Sequence, residues 1–270
     1  MRNAFTVDLE DWYQGLELGP ELWGGFEDRL RVGTERLLQL LESSGARATF
    51  FVLGAAAERH PQLVREIHDR GHEIGTHGYG HHFVYRLGAA GFRDDLRRSL
   101  DILGSLVGEQ IRGHRAPFFS IIEGSEWAFD VLAECGLAYD SSIFPVRNYR
   151  YGMPAAPRWV HQLDNGLTEF PLSTLRMLGR NIPACGGAYF RLLPYILTRH
   201  CIGRLNRMQR PAVFYIHPWE LDPDQPRIDL PLRIGLTHYW NLGGTRKWLE
   251  RLLQEFEFGT MAESLGLEHG

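Results

Sequence analysis

Apolar positions along the chain recur with two different periods, and the segments that carry them alternate. Compact apolar runs of strand type lie at Asn3 to Asp8 and at Ala48 to Leu53. Between them, Leu30, Leu37, Leu38 and Leu41 fall on one side of a predicted helix over Arg29 to Ser44. The same alternation continues with a predicted helix over Pro61 to Arg70 and a short strand closing at Ile74 to Thr76. A helix follows over Phe92 to Val107, with Leu96, Leu100 and Leu103 near helical spacing. Gln110 to Arg115 then leads into a polar motif, Ser125 to Cys135 reads as helix, and Leu137 to Asp140 as a short strand. Strands alternating with helices predict an α/β chain whose parallel sheet is covered by helices.

The stretch from Arg147 to Gly187 breaks this rhythm. It is rich in proline, glycine and aromatic residues, Thr168 to Pro171 is its only clear strand, and it is predicted to form loops on the substrate side. Beyond it, Leu192 to Met208 is predicted as helix, Ala212 to Ile216 as strand, and Thr245 to Phe256 as the last long helix. No internal repeat, low-complexity tract or linker interrupts the chain, so one domain over 1–270 is expected.

Candidate chemistry sits just after the predicted strands. Gly71 to His82 (GHEIGTHGYGHH) sets His77 and His81 four residues apart. On a helix this spacing would put both rings on one face, but each glycine costs a helix roughly 1 kcal/mol relative to alanine. A loop at a strand end is the expected setting, with Gly75, Gly78 and Gly80 letting the backbone fold back. Two imidazoles so placed can hold one metal ion; two hydrogen-bonded loop histidines would read the same way. The first strand stops at Asp8, Glu10 and Asp11. Three acids there repel one another unless they are solvated or a cation lies between them. A set of two histidines and one carboxylate leaves coordination positions open, as catalytic zinc sites do.

Composition narrows the classes further. A chain of 270 residues with 44% hydrophobic content can bury the core of a single barrel domain, which commonly takes about 250 residues. The net charge of −4 gives no electrostatic reason to expect nucleic acid or an anionic membrane. Cys135, Cys185 and Cys201 are odd in number, widely spaced and without a CxxC pair, which fits a reducing compartment. With no signal-peptide pattern and no membrane-spanning apolar stretch, the expected location is the cytoplasm.

Taken in order, five motifs resemble those of the polysaccharide deacetylase family, the NodB-like carbohydrate esterases of family 4. They are Asp8 to Asp11, His77 to His81, Arg115 to Phe118 in GHRAPFFS, Asp140 to Pro145 in DSSIFP, and His217 in FYIHPWELDP. The wording DLEDWY, YDSSIFP and IHPWELDP resembles the branch found with bacterial exopolysaccharide gene clusters, including those of exosortase systems. The resemblance implies a distorted (β/α) TIM-like barrel and a divalent metal, with zinc first and cobalt, nickel or iron also suited. It also implies hydrolysis of N-acetyl groups on hexosamine residues of a polysaccharide or its precursor. Asp8 then takes the role of base, Arg115 holds that base ionised, His217 is the general acid, and Asp140 is the carboxylate that keeps His217 protonated.

The metal ligands implied are His77, His81 and an acid from the first motif. The family has two adjacent aspartates there and this chain reads Asp-Leu-Glu-Asp. Strand alternation places Asp8 and Glu10 on one face and Asp11 on the other, favouring Glu10 if the strand runs on; a turn after Leu9 would bring in Asp11, the preferred ligand. Phe118 and Trp219 are candidate walls of the sugar pocket, and Tyr79 and His82 flank the ligand histidines. Two other readings are metal-free hydrolysis of a small ureide or cyclic amide, and a non-catalytic carbohydrate-binding component. Retention of both histidines argues against the first, and retention of Asp8 and His217 against the second.

Overall fold

Strand β1 (Asn3–Leu9) is buried at every position, so its side chains face protein on both sides of the pleat. That is why it reads as a continuous apolar run rather than an alternating one. The structure, a computed structural model, describes residues 1–16, 18–148 and 150–267. It divides into two compact units, one built from Met1–Ala48 and the chain from Ala184 onward, the other from Thr49–Pro183. Because the first unit takes both ends of the chain, no linker composition marks its borders.

In the first unit, β1 is followed by helix α1 (Leu30–Ser44), whose buried stripe includes the leucines expected from the sequence. Gly45 ends it in the left-handed conformation, φ +66°, which a glycine adopts without steric cost. The second unit then runs through β2 (Thr49–Val52), α2 (Gly54–Arg59), α3 (Pro61–Asp69), β3 (Glu73–Thr76), α4 (Val84–Val107), β4 (Gly113–His114), α5 (Trp127–Glu134) and β5 (Tyr139–Asp140). Strands β2, β3, β4 and β5 pair in that order, all parallel. The sheet continues through β6 (His161–Gln162) and β7 (Thr168–Glu169): β7 joins β5 in parallel, and β6 closes antiparallel on β7. Phe92 and Leu96 of α4 pack with Phe129 and Leu132 of α5 in the core beside this sheet.

A separate hairpin ends the second unit, β8 (Thr174–Met177) and β9 (Arg180–Pro183). The chain then re-enters the first unit through α6 (Gly187–Leu192), α7 (Tyr195–Arg207), β10 (Val213–Ile216), α8 (Leu232–Tyr239), α9 (Leu242–Glu255), β11 (Phe258–Gly259) and α10 (Met261–Leu265). Strands β10 and β11 both pair parallel with β1. Phe5 meets Phe214 and Phe258 at ring distances of 5.3 and 5.5 Å across these strands. Among the described residues, no helix is long and apolar enough to cross a membrane.

Three sequence expectations are corrected here. The helix expected over Phe92 to Val107 begins at Val84, interrupted at Gly88 with φ +66°. The helix expected over Leu192 to Met208 is two helices, because Pro194 has no amide to donate and Leu193 before it is extended. The loops expected over Arg147 to Gly187 include β6 and the β8–β9 hairpin, whose Leu178 and Gly179 both have positive φ. Most of this hairpin is exposed or half-buried, so the hydrophobic pattern carries no signal for it.

One glycine fixes how α1 meets the short 3-10 turn Pro218–Leu221 that follows β10. A β-carbon on Gly33 would lie 2.1 Å from the backbone oxygen of Pro218. Alanine normally favours a helix, but this clash is with backbone and cannot be relieved by a rotamer change. Gly33→Ala is therefore expected to destabilise the protein by about 1–3 kcal/mol in urea denaturation. A stabilised variant would contradict this packing.

Candidate active site

In the second unit, the chain leaves β3 at Thr76 and turns through the glycine-rich loop expected from the sequence. Asp95 of α4 anchors that loop by accepting the amides of Tyr79 at 2.7 Å and Gly80 at 3.2 Å. Gly78 has φ +74°, and a β-carbon there would lie 2.9 Å from the Asp95 carboxylate. His77 and His81 are both buried, with ring centroids 5.3 Å apart. The Nδ1–H of His77 donates to the backbone oxygen of Arg115 at 2.7 Å. A carbonyl can only accept, so this bond fixes the tautomer and puts the lone pair of the ring on Nε2.

The residues around this loop have defined tasks. Phe118, at φ +55°, stacks on Phe83 at 4.3 Å and packs against His81 at 4.2 Å. The buried Arg115 guanidinium donates to the Ser141 backbone oxygen and hydroxyl, both at 3.1 Å, and lies 4.4 Å from the Phe51 ring. Tyr79 donates its hydroxyl to Glu58 and carries the Arg98 guanidinium 3.6 Å above its ring. His82 is exposed.

In the first unit, Asp8, Glu10 and Asp11 are all buried. Strand β1 ends at Leu9 and the chain turns, but the Asp11 carboxylate turns toward the start of α1. It accepts the amides of Trp12 at 2.8 Å, Arg29 at 2.8 Å and Leu30 at 3.1 Å. Burial raises its pKa to about 6 against the opposing effect of these amides. Asp11 thus satisfies otherwise orphaned donors at a helix start. These contacts weigh against Asp11, the metal ligand preferred from the sequence.

His217 leaves β10 with its Nε2 3.5 Å from Glu10 and 3.8 Å from Asp8. Its Nδ1 is bonded to Glu220 at 2.7 Å, and the same carboxylate oxygen accepts the His217 backbone amide at 3.1 Å. The other Glu220 oxygen accepts the Arg191 Nε at 2.5 Å, and Arg191 also donates to the backbone oxygens of Thr237, His238 and Trp240. Trp219 stacks between His217 at 5.1 Å and His238 at 4.3 Å.

Charge on these groups follows from their neighbours. Burial lowers the His217 pKa, but the Glu220 bond and the charges of Glu10, Glu220 and Asp8 outweigh it and raise the value to about 9. Burial pushes Glu220 up, while Arg191 and His217 pull it down further, to about 2. Burial and then the Arg191 charge lower His238 to about 3.

Asp140, expected to hold His217, has other partners inside its own unit. It bonds His114 Nδ1 at 2.6 Å and the Ser142 hydroxyl at 2.7 Å through one oxygen, and accepts the Ser142 amide at 3.0 Å through the other. Burial raises the Asp140 pKa, but the His114 bond and charge carry it below the ordinary value. Glu169 beside it is pushed well up, chiefly by burial and then by the Asp140 charge. The carboxylate on the His217 ring is Glu220. It stands three residues after His217 in IHPWELDP, a helix-turn spacing that was the available sequence signal.

Parallel β/α units with histidines and acids at the strand ends define an α/β protein whose candidate chemistry gathers at the carboxyl ends of its strands. The polysaccharide deacetylase family matches residues 20–139, and a domain of unknown function, DUF3473, matches residues 141–266. Residues 20–139 are therefore a polysaccharide deacetylase (NodB-like, carbohydrate esterase family 4) domain, joined here to DUF3473 over 141–266. A peptidoglycan-N-acetylglucosamine deacetylase of Bacillus cereus is 33% identical over 35% of this chain and 35% of its own length. The chain thus spans about a third of that relative. A chitooligosaccharide deacetylase of Sinorhizobium fredii is 35% identical over 44% of this chain and 55% of its own. A crystal structure from Mycobacterium smegmatis, assigned to the polysaccharide deacetylases, has the same fold, with a TM-score of 0.65 and 21% identity over 96% of this chain and 87% of that one. The NodB-type (β/α) barrel expected from the sequence is therefore the fold of this chain.

The depressed His238 pKa fixes the sign of one pH effect. Below the ordinary histidine value of 6.5 the unfolded chain binds a proton that the folded chain refuses until about pH 3. The His238 contribution is thus complete above pH 6.5 and lost as pH falls, by up to about 1.4 kcal/mol per pH unit. Urea unfolding between pH 7 and 4 is expected to give a shallower acid-side loss for His238→Gln than for the unaltered protein. Parallel slopes would rule out His238 as the source.

Proposed function

We propose that this protein is a metal-dependent hydrolase that removes N-acetyl groups from hexosamine residues of a bacterial oligo- or polysaccharide or its precursor. The observation that carries this reading is His217. Its Nδ1 is held by Glu220 while its Nε2 faces Asp8 and Glu10, so a proton donor and a candidate base lie side by side near the ends of the paired strands β1 and β10. The relatives named as peptidoglycan and chitooligosaccharide deacetylases support the same reaction. An exopolysaccharide is the proposed polymer, on the wording of the IHPWELDP motif. Both units are read as one catalytic domain over 1–270, and the three free cysteines support a cytoplasmic setting.

The proposed metal ligands are Glu10, His77 and His81, three buried residues whose carboxylate and imidazole donors suit one divalent ion. Asp11 is set aside because three backbone amides already occupy its carboxylate. Zinc is the proposed ion, and the same donors accept cobalt, nickel or iron. When bound, such an ion acidifies water and polarises an acyl oxygen.

The chain's own groups supply the proton transfers. Asp8 takes the proton of the attacking water, and Arg115 is the guanidinium proposed to hold Asp8 ionised. His217 delivers a proton to the departing amine, whose leaving tendency depends on it. Glu220, braced by Arg191, keeps that imidazole oriented and charged. Phe118 and Trp219 offer flat apolar faces to a pyranose ring, and Tyr79, fixed by Glu58 and Arg98, offers a rigid edge.

Elemental mass spectrometry of the purified protein is expected to find about one divalent ion per chain, with acetate released from N-acetylated oligosaccharides only in the loaded state. Glu10→Gln should lose most of the metal, whereas Asp11→Asn should keep it and lose stability instead. The reverse pattern would restore Asp11 as the ligand.

Glu220→Gln is expected to lower kcat about 10- to 100-fold with little change in KM. Removing a negative neighbour lowers the pKa of His217, so the alkaline limb of the pH profile should move to lower pH. Asp140→Asn should leave that limb in place; movement in Asp140→Asn alone would return the partner role to Asp140.

A further inference from the structure

Between Ser141 and Pro183 the chain carries five arginines, no lysine and two acids, Asp164 and Glu169. Glu169 is fully buried, leaving Asp164 as the exposed acid. This stretch is therefore cationic within a protein of net charge −4.

Three of the arginines, Arg147, Arg176 and Arg180, line one cleft of about 570 Å³ together with Pro145, Pro154 and Asn181. All three are exposed, and none has a carboxylate partner among the described residues. The cleft lining contains no acid. Its walls are held by hydrogen bonds: Arg176 donates to Asn181 Oδ1 at 2.8 Å, and Asn181 Nδ2 donates to the Pro145 oxygen at 2.7 Å. The β8–β9 hairpin is thereby tied to the loop that follows Phe144. Like charges gathered without a counter-charge repel one another, and an anion in their midst reverses that repulsion. Guanidinium groups present paired donors that match the two oxygens of a carboxylate or a phosphate.

The same loop leads back toward the ligand histidines. Arg150 places its guanidinium 5.7 Å from the Phe118 ring, and Phe118 packs 4.2 Å from the His81 ring. A glycan lying along this loop would present charged groups to the cleft and a neutral residue to the histidine loop.

We propose that the Arg147–Arg176–Arg180 cleft binds the anionic groups of an acidic glycan. That this glycan is also the deacetylation substrate rests on the function proposed above; anion binding at the cleft does not.

The test is calorimetric titration of the full chain with an oligogalacturonide, with neutral N-acetylchitotetraose, with inorganic phosphate and with a single-stranded DNA oligonucleotide, at low and high salt. Each is repeated on Arg176→Gln/Arg180→Gln and on Arg176→Lys/Arg180→Lys, with circular dichroism to establish folding. Oligogalacturonide binding is expected to weaken roughly tenfold or more in the glutamine variant and at high salt, and to survive largely in the lysine variant. Absence of oligogalacturonide binding would overturn the proposal. So would affinity unchanged in a folded glutamine variant, saturation by inorganic phosphate alone, or stronger arginine-dependent binding of a single-stranded DNA oligonucleotide. Arginine-dependent binding without acetate release from any acetylated glycan would support the cleft while counting against the deacetylase reading. Acetate release without arginine-dependent binding would do the opposite.

Discussion

Arg191 and Glu220 are both fully buried and bonded to each other, and much of the first unit is arranged so that neither charge is left unmatched. An isolated charge in the interior costs several kcal/mol, and a pair is tolerated only when the remaining donors and acceptors are also satisfied. The backbone oxygens of Thr237, His238 and Trp240 at the end of α8 take the spare guanidinium donors. The backbone amide and ring of His217 take the spare carboxylate oxygen. The end of α8, the turn after β10 and helix α6 are thus fixed by one charge-matching requirement. The imidazole at the centre inherits both its orientation and its protonation from it.

The second unit solves a similar problem by keeping one of two neighbouring acids protonated. Asp140 and Glu169 are adjacent and buried, and two negative charges there would repel strongly at low dielectric. The favourable arrangement keeps Glu169 protonated and Asp140 ionised, with His114 and Ser142 as its donors. This cluster stabilises the strand ends of β4, β5 and β7. The histidine loop gains rigidity instead from the Asp95 carboxylate and from the Arg115 carbonyl that selects the His77 tautomer.

The two acids after β1 illustrate how neighbouring residues of like chemistry acquire different tasks. Asp11 meets two amides at the start of α1 and that of the adjacent Trp12, and that location fixes it as a structural acceptor. Glu10, one residue earlier, lies beside His217 and the Trp219 indole. Backbone direction at the end of the strand separates the roles; acidity does not. The DUF3473 half of the chain contributes His217, Glu220 and the arginine-rich segment, while His77 and His81 fall in the polysaccharide deacetylase match.

The sequence by itself determined the α/β alternation, the strand that delivers His217, and the His77–His81 pair in a glycine loop. Each of these is written in local periodicity or short spacing, and side chains within four residues cannot escape one another. Only the tertiary structure decided that Glu220 rather than Asp140 holds His217, and that Asp11 belongs to the start of α1. It alone also revealed that an arginine in α6 braces the acid and that Arg147, Arg176 and Arg180 line one cleft. Those pairings join residues up to dozens of positions apart, and a buried carboxylate is matched to whichever donor folding brings within hydrogen-bond reach. Periodicity tells which face of an element is buried; it carries no record of which charge is waiting there.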